Sequence, residues 1–558
     1  MRRAFALLVA HTVVAVLLLW PSMLDPEGSL PGSIRTDLWD SLWSFWFASR
    51  ELAAGRLPIS VDGLLNHPVG GTLWVADLVN ALFVVPLLAV LTIPQAYTLL
   101  VHAHLVFSGV AANRLGSAVW GEDPRAGWFS GLAWQSAPLL LAHVHNGASE
   151  AIGGGWLALA LLAAVRMGQQ PSRGRIVGLG LALAVCSWAH WYAGVCAFLF
   201  CAVYGTGAVL AKGEALRSEA LRSRALGWGA ALCLGLLLTL PYAWASRSAS
   251  TASDNVVGIK TERELAAVRR TIGAADPQSF FIPGDHRSPD LGKLSPYNEE
   301  HRHCPYLGWV VIVGAALSWR RVRHPSWWIA AVTGALLALG PVLTHEGAPV
   351  IIARKLAFPL PYLLLEPLPG FDSLSLVWRL AALPALCLTV LAGGGYAGIH
   401  LAGRLPVWGL AALLAVAETR FASPMRGAIA TVSAEVAAPI LALAEAPDGA
   451  VMNYPVVGGR PYLYEQTAHG RALAGTLNFP NNAASMSLWR LVLNNSGAPK
   501  PDFPRAFGEE AQKLGIRYIV LHVDAWAPAD MHDIAARSVR EIFTPMAETS
   551  AVRVYRLY

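Results

Sequence analysis

Two aspartates stand about one helical turn apart in the segment IRTDLWDSLWSFW (34–46), at Asp37 and Asp40. Trp39, Trp43 and Trp46 recur there at helical spacing, which predicts an amphipathic helix lying at a membrane interface. Capping a helix start takes one aspartate. Capping therefore does not explain an acidic pair held at a membrane surface, where a carboxylate suits proton transfer. Glu150 closes the short loop HVHNGASE (143–150) and opens the next helix. It reads either as a favourable charge at a helix N-terminus or as a second acid facing the first loop across a cavity. His143 and His145 are metal-ligating types, but an H-x-H pair alone reads first as structural.

The loop 245–304 carries eight basic and eight acidic residues, among them Arg287 and Lys293. It is either a solvated charged loop or the place where a lipid-linked phosphate is held by charge-assisted hydrogen bonds. Within its EEHRHC run (299–304), HRHC (301–304) offers zinc-ligating types, but four adjacent residues do not easily supply a tetrahedral site. Arg379, in FDSLSLVWRLAAL, sits at the end of an apolar span, where an arginine either snorkels or has a function. GGGYAG (393–398) mimics a dinucleotide loop, yet it lies inside an apolar span with no strand before it; close helix packing by small residues fits better.

These groups must be positioned by membrane helices. Of 558 residues, 55% are hydrophobic and 14% charged, with a mean hydropathy of +0.45. A soluble domain carries roughly 25% charge. The composition excludes a disordered chain, a nucleic-acid binder and a disulfide-stapled secreted domain. The six cysteines lie in or beside apolar spans without CxxC spacing and read as packing residues. Residues 418–558 hold 13 basic and 13 acidic residues, so the net charge of +6 belongs to the first 417.

Apolar runs lie near 1–20, 97–115, 127–143, 151–165, 176–190, 192–211, 225–244, 305–319, 326–343, 376–399 and 405–417. A further run, 77–93, is broken by Pro86. If it dips in and returns, the short basic loops all share the N-terminal side, with 15 Lys/Arg against 4 Asp/Glu. The positive-inside rule favours that arrangement. The expected fold is a polytopic α-helical membrane protein with about eleven spans over 1–417, a re-entrant or interfacial segment at 77–93, and a cytoplasmic N-terminus. Loops 21–96, 143–150, 245–304 and 344–375 then face outward, as does the tail 418–558. GAVMNYPV (449–456), GIRYIVLHV (515–523) and SAVRVYRLY (550–558) read as strands, and 503–514 as a helix ending at Gly515: an extracytoplasmic α/β domain.

TDLWDSLWSFWF (36–47), LLNHPVGGTLW (64–74), SAPLLLAHVHNGASEAIGGGWLALALLAAVR (136–166), LPGFDSLSLVWRLAAL (368–383), NYPVVGGRPYLYEQTAHGR (453–471) and LGIRYIVLH (514–522) together resemble the GT-C superfamily, polytopic glycosyltransferases that use polyprenyl-phosphate-linked sugars. Protein O-mannosyltransferases, the aminoarabinose lipid A transferase and oligosaccharyltransferase belong to it, and the pattern is most like a large bacterial group within it. The resemblance touches most of the chain through short motifs. It implies a first-loop aspartate as general base, Asp37 or alternatively Asp40, and Glu150 as the second-loop acid. Arg35, His67, Arg287, Lys293 and Arg379 become candidates for substrate and phosphate binding. Some relatives hold a divalent metal at the second acid, which makes Glu150, His143 and His145 candidate ligands; others need none. The implied activity is inverting transfer of a sugar from a polyprenyl-phosphate donor to a glycan, lipid or protein acceptor outside the bacterial plasma membrane. The alternatives are a transporter or flippase of lipid-linked sugars, against which stands the lack of a clear inverted repeat, and a scaffold that keeps the fold without the chemistry.

Overall fold

The computed structural model describes residues 2–74, 77–210, 219–256, 262–283, 301, 303–322, 324–352, 356–368, 370–399, 407–422, 428–454, 460–477, 482, 486–495, 502–523 and 543–558. Helix forms over each of the apolar runs. Ile93–Val119 shows the local logic: Thr92 accepts the Gln95 backbone N–H, the Gln95 side chain returns a bond to the Thr92 backbone, and proline sits in the first turn. Four stretches are long and apolar enough to cross a membrane, Ser149–Gln169, Trp191–Leu210, Leu221–Ser250 and Val377–Ala397. Shorter apolar helices stand at Ala4–Leu18, Leu78–Leu87, Trp309–Ser318 and Ser326–Ala338.

Two runs depart from single spans. The run 127–143 splits into Pro124–Gln135 and Pro138–His145, because Pro138 has no N–H to continue a helix and starts a new one instead. Leu78–Leu87 has 10 residues, about 15 Å of helix against a hydrocarbon layer of about 30 Å. The GGGYAG segment lies within and just after helix Ala382–Ala397. A Cβ on Gly394 would stand 1.9 Å from the Trp120 ring, and one on Gly395 would stand 2.0 Å from the Gly314 carbonyl. Small residues here let helices meet closely.

Toward the C-terminus, strands Ala450–Tyr454, Ile516–His522, Val552–Arg556 and Pro545–Glu548 lie side by side in that order, the first pair parallel and the others antiparallel. Helix Phe503–Leu514 ends at Gly515, which takes the left-handed conformation at φ 70°. Side chains alternate across the sheet. Val451, Tyr518, Val520 and Val554 pack with Trp43, Phe47 and Leu64 of the first loop. Met452, Ile519, Leu521 and Tyr555 pack instead with Phe503 and Phe507. Strand Ser29–Pro31 pairs antiparallel with Thr431–Ser433, a second tie between first loop and tail.

This tie corrects the interfacial reading of the tryptophan stripe. Trp39 and Trp43 lie on helix Leu38–Ala53, where they are buried under the tail. The Trp43 indole N–H donates to Gln466 Oε1 at 2.7 Å, and the Gln466 amide donates to the Leu64 and Arg471 carbonyls, each at 2.8 Å. A buried indole N–H needs an acceptor, and the tail supplies one where lipid headgroups were expected to.

Candidate active site

Helix Leu38–Ala53 begins with Asp37 in the N-cap position, but the Asp37 side chain makes no capping bond. Its Oδ1 instead meets Arg460 Nη1 at 3.1 Å and His301 Nε2 at 3.2 Å. The same Arg460 guanidinium bonds Asp40 Oδ2. Asp40 Oδ1 is buried without a hydrogen-bond partner. Burial alone would raise Asp37, yet His301 and Arg460 beside it, with Arg379 also contributing, hold it well below the usual carboxylate range. For Asp40, burial, opposed by Arg460 and reinforced by the Asp37 charge, pushes the carboxyl up to about 7. One turn of helix thus presents an ionised carboxylate next to one poised near neutrality.

Glu150 sits in the four-residue helix Ser149–Ile152, and its Oε1 lies 3.4 Å from Arg379 Nη1. Arg379 belongs to the 3-10 turn Val377–Ala381 that leads into helix Ala382–Ala397. It also lies 3.5 Å from His190 Nε2 and 5.5 Å from the centre of the Tyr192 ring. Tyr192 holds the turn by accepting the Leu376 N–H at 2.8 Å. The Arg379 Nε is buried and has no partner. Beside it, the Trp378 ring stacks with His143 at 5.3 Å and with His303 at 4.5 Å.

A buried polar chain that the sequence did not reveal links the two acidic elements. Asp77 Oδ2 accepts from the Ser149 hydroxyl and, at 3.1 Å, from the Asn80 amide. Ser149 Oγ lies 3.1 Å from Ser41 Oγ, and His104 Nε2 lies 2.7 Å from Asn80 Oδ1. The serine after Asp40 and the serine before Glu150 therefore meet, and the second of them reaches the Asp77 carboxyl. Burial and the Glu150 charge push Asp77 up to about 7, against its bonds from Ser149 and Asn80.

The structure gathers Asp37, Asp40, Glu150 and Arg379 of the expected residues, and adds Arg460, His301 and Asp77. It does not gather the others. His67 bonds the Leu514 carbonyl at 3.0 Å and braces the tail, with burial lowering its pKa. Arg35 is half-buried and makes no ion pair among the described residues. His145 is buried, with its carbonyl accepting the Ser33 N–H at 2.8 Å, and His143 is taken up in the Trp378 stack. Glu150, His143 and His145 do not form a ligand set: no group of three or more His, Cys, Asp or Glu suited to a metal occurs among the described residues. Arg287 and Lys293 fall outside the described residues. His301 carried a signal in the EEHRHC run, although for metal rather than for pairing with Asp37. Arg460 stood only inside the tail motif 453–471.

The architecture has solved counterparts. The whole chain aligns with the arabinofuranosyltransferase AftD from Mycobacteria at a TM-score of 0.55 and 14% identity, covering 40% of that chain. A mutant form of that enzyme aligns at 0.56 and 13%, covering 42%. The chain thus spans about two fifths of the length of these proteins. The oligosaccharyltransferase AglB from Archaeoglobus fulgidus, solved with an inhibitory peptide and a dolichol-phosphate, aligns over 93% of this chain and 69% of its own at 12% identity, with a TM-score of 0.49 that adds no weight. No protein-family model matches the sequence, and no curated protein matches it. At these identities the likeness establishes the fold alone, one shared with the matched part of AftD.

Proposed function

We propose that the protein is an inverting glycosyltransferase that moves a sugar from a polyprenyl-phosphate donor to a glycan, lipid or protein acceptor outside the bacterial plasma membrane. The observation that carries this reading is the Asp37–Asp40 pair clasped by one guanidinium, with the Glu150–Arg379 pair close enough to act on Asp37 electrostatically. Such a transfer needs a carboxylate to take the acceptor hydroxyl's proton as that oxygen attacks the anomeric carbon. It also needs cations to hold the negative charge developing on the departing polyprenyl phosphate. Both kinds of group are present within one site.

In this reading Asp37 is the base, with Asp40 as the alternative. Arg460 and Arg379 take the phosphate. Donor binding draws Arg460 from the carboxylates onto the phosphate, and Asp37 gains basicity as it loses that cation. Ionisation of Asp40 acts in the same direction by placing a second negative charge next to Asp37. Asp77 and the two serines hold the acids at fixed spacing. No step is routed through a metal, since the described residues do not group three ligands for one.

The same reading takes 1–417 as the transmembrane domain, with about eleven spans, and 418–558 as an extracytoplasmic domain that roofs the first loop and supplies Arg460. The test is to offer purified protein a panel of polyprenyl-phosphate sugars with extract from its own cell envelope, and to look for free polyprenyl phosphate and a new glycosidic bond. Sugar carried across a bilayer with no new bond would replace this reading with transport. Neither bond formation nor movement, in folded protein, would leave the scaffold.

A further inference from the structure

The segment after helix Ser326–Ala338 is apolar where a loop in water should be polar. Between Gly347 and Leu365 the only charged residues are Arg354 and Lys355, both cationic. Ile351, Ile352, Leu356, Phe358, Leu363, Leu364 and Leu368 are all exposed, from 39% for Ile352 to 79% for Leu364. So many large apolar side chains along one short segment mark an interaction surface rather than scattered surface residues.

The backbone of this segment is closed on itself. Thr344–His345 pairs with Ala348–Pro349, and Ile351–Ile352 pairs with Leu356–Ala357. Leu343 N–H donates to the Phe358 carbonyl, Val350 N–H to the Leu343 carbonyl, Phe358 N–H to the Val350 carbonyl and Leu360 N–H to the Pro341 carbonyl, all between 2.8 and 3.0 Å. Non-helical backbone tolerates a nonpolar environment only when its polar groups are satisfied internally. The inner side is clamped firmly. Glu366 binds Arg269 at 3.0 Å and Arg270 at 2.6 Å, Tyr362 is buried with its hydroxyl donating to the Phe371 carbonyl, and Gly347 N–H donates to Asp276 Oδ2. The apolar side chains are therefore held outward on a fixed frame.

What covers them follows from continuity. Helix Ser326–Ala338 runs straight into the segment, and it exposes Ile329, Val332 and Leu336. Helix Trp309–Ser318 exposes Trp309, Val313 and Leu317, and Phe281 extends the patch by contacting the Trp309 ring at 6.2 Å. These are the apolar faces that membrane helices turn to lipid. We propose that the paired strands Thr344–His345, Ala348–Pro349, Ile351–Ile352 and Leu356–Ala357, with the exposed Phe358, Leu363, Leu364 and Leu368, form a membrane-seated platform inserted into the lipid leaflet. This inference does not depend on the transferase reading.

The test uses the full chain in nanodiscs with anionic lipid, after Cys233→Ser removes the exposed native thiol. Leu356→Cys and Leu364→Cys are each labelled with an environment-sensitive fluorophore, alongside Glu509→Cys, which lies on an exposed face of helix Phe503–Leu514. Lipid-borne nitroxide is expected to quench both hairpin probes severalfold more than the control probe, and aqueous iodide to quench only the control. Iodide quenching of the hairpin probes equal to that of the control would overturn the proposal. So would protection from both quenchers, which would mean that protein covers the patch. Two independent labelling positions guard against one misfolded variant.

Discussion

Replacing Arg460 by glutamine should move the pH dependence of transfer upward. Asp40 has its midpoint pushed up to about 7. If its ionisation supports the base, the wild-type rate rises about tenfold between pH 6 and pH 8, as the ionised fraction goes from about one-tenth to about nine-tenths. Arg460 lowers the pKa of both Asp37 and Asp40. Without it both carboxyls rise, and an opposite charge at this range is worth about one to three pKa units. A shift of about one unit leaves Asp40 about one-tenth ionised at pH 7 instead of half, a roughly fivefold slower rate at that pH. Raising the pH to about 9 should recover the loss that comes from ionisation, while any loss of phosphate binding remains as a higher KM. The assay is polyprenyl-phosphate release between pH 5.5 and 9, with kcat and KM measured separately and the shift read in kcat/KM, which reports the free enzyme where Arg460 still clasps both acids. An acid limb that stays in place or moves to lower pH in Arg460→Gln would refute the coupling, and so would a flat wild-type profile.

Other perturbations separate the parts of the site. Asp40→Asn should flatten the profile between pH 6 and 8; a persisting limb there would assign it to another group. Arg379→Gln leaves Glu150 beside an uncharged partner, with an expected stability loss of about 3 kcal/mol and a raised donor KM; Arg379→Lys should recover part of both, measured by denaturation and donor titration. Asp77→Ala removes the carboxyl that accepts from the Ser149 hydroxyl and one Asn80 amide hydrogen, at about 1–3 kcal/mol, and should lower kcat more than Asp77→Asn does; equal kcat values would show that Asp77 does not set the spacing of the acids. Trp43→Phe removes the bond to Gln466 and should cost about 1–2 kcal/mol, seen as faster proteolysis within the tail.

Much of this arrangement was legible from local chemistry. The helices follow from apolar runs, and the strand at Ile516–His522 and the stop at Gly515 follow from alternation and a glycine suited to positive φ. The acid pair and Glu150 stood out because charge is scarce beside apolar spans. What the sequence did not carry is set by contacts across the fold. Arg460 meets Asp37 from 423 positions away, and no local pattern encodes that meeting. Asp77 stands at the start of the apolar run 77–93 with no local feature to single it out; the bonds from Ser149 and Asn80 that give it a part come from the fold. His67 was assigned to substrate because its motif resembles a family segment, whereas its ring spends its hydrogen bond on Leu514. The tryptophan stripe had the right periodicity but the wrong partner, since a helix roofed by protein and one resting on lipid show the same apolar face.

The most direct test of the central claim, that Asp37 takes the acceptor's proton, compares the wild type with Asp37→Asn for polyprenyl-phosphate release across the donor panel, with folding of both checked by thermal unfolding. Release by the wild type is expected, with its loss in a variant that stays folded. Equal release by both would contradict that claim and place the base outside Asp37.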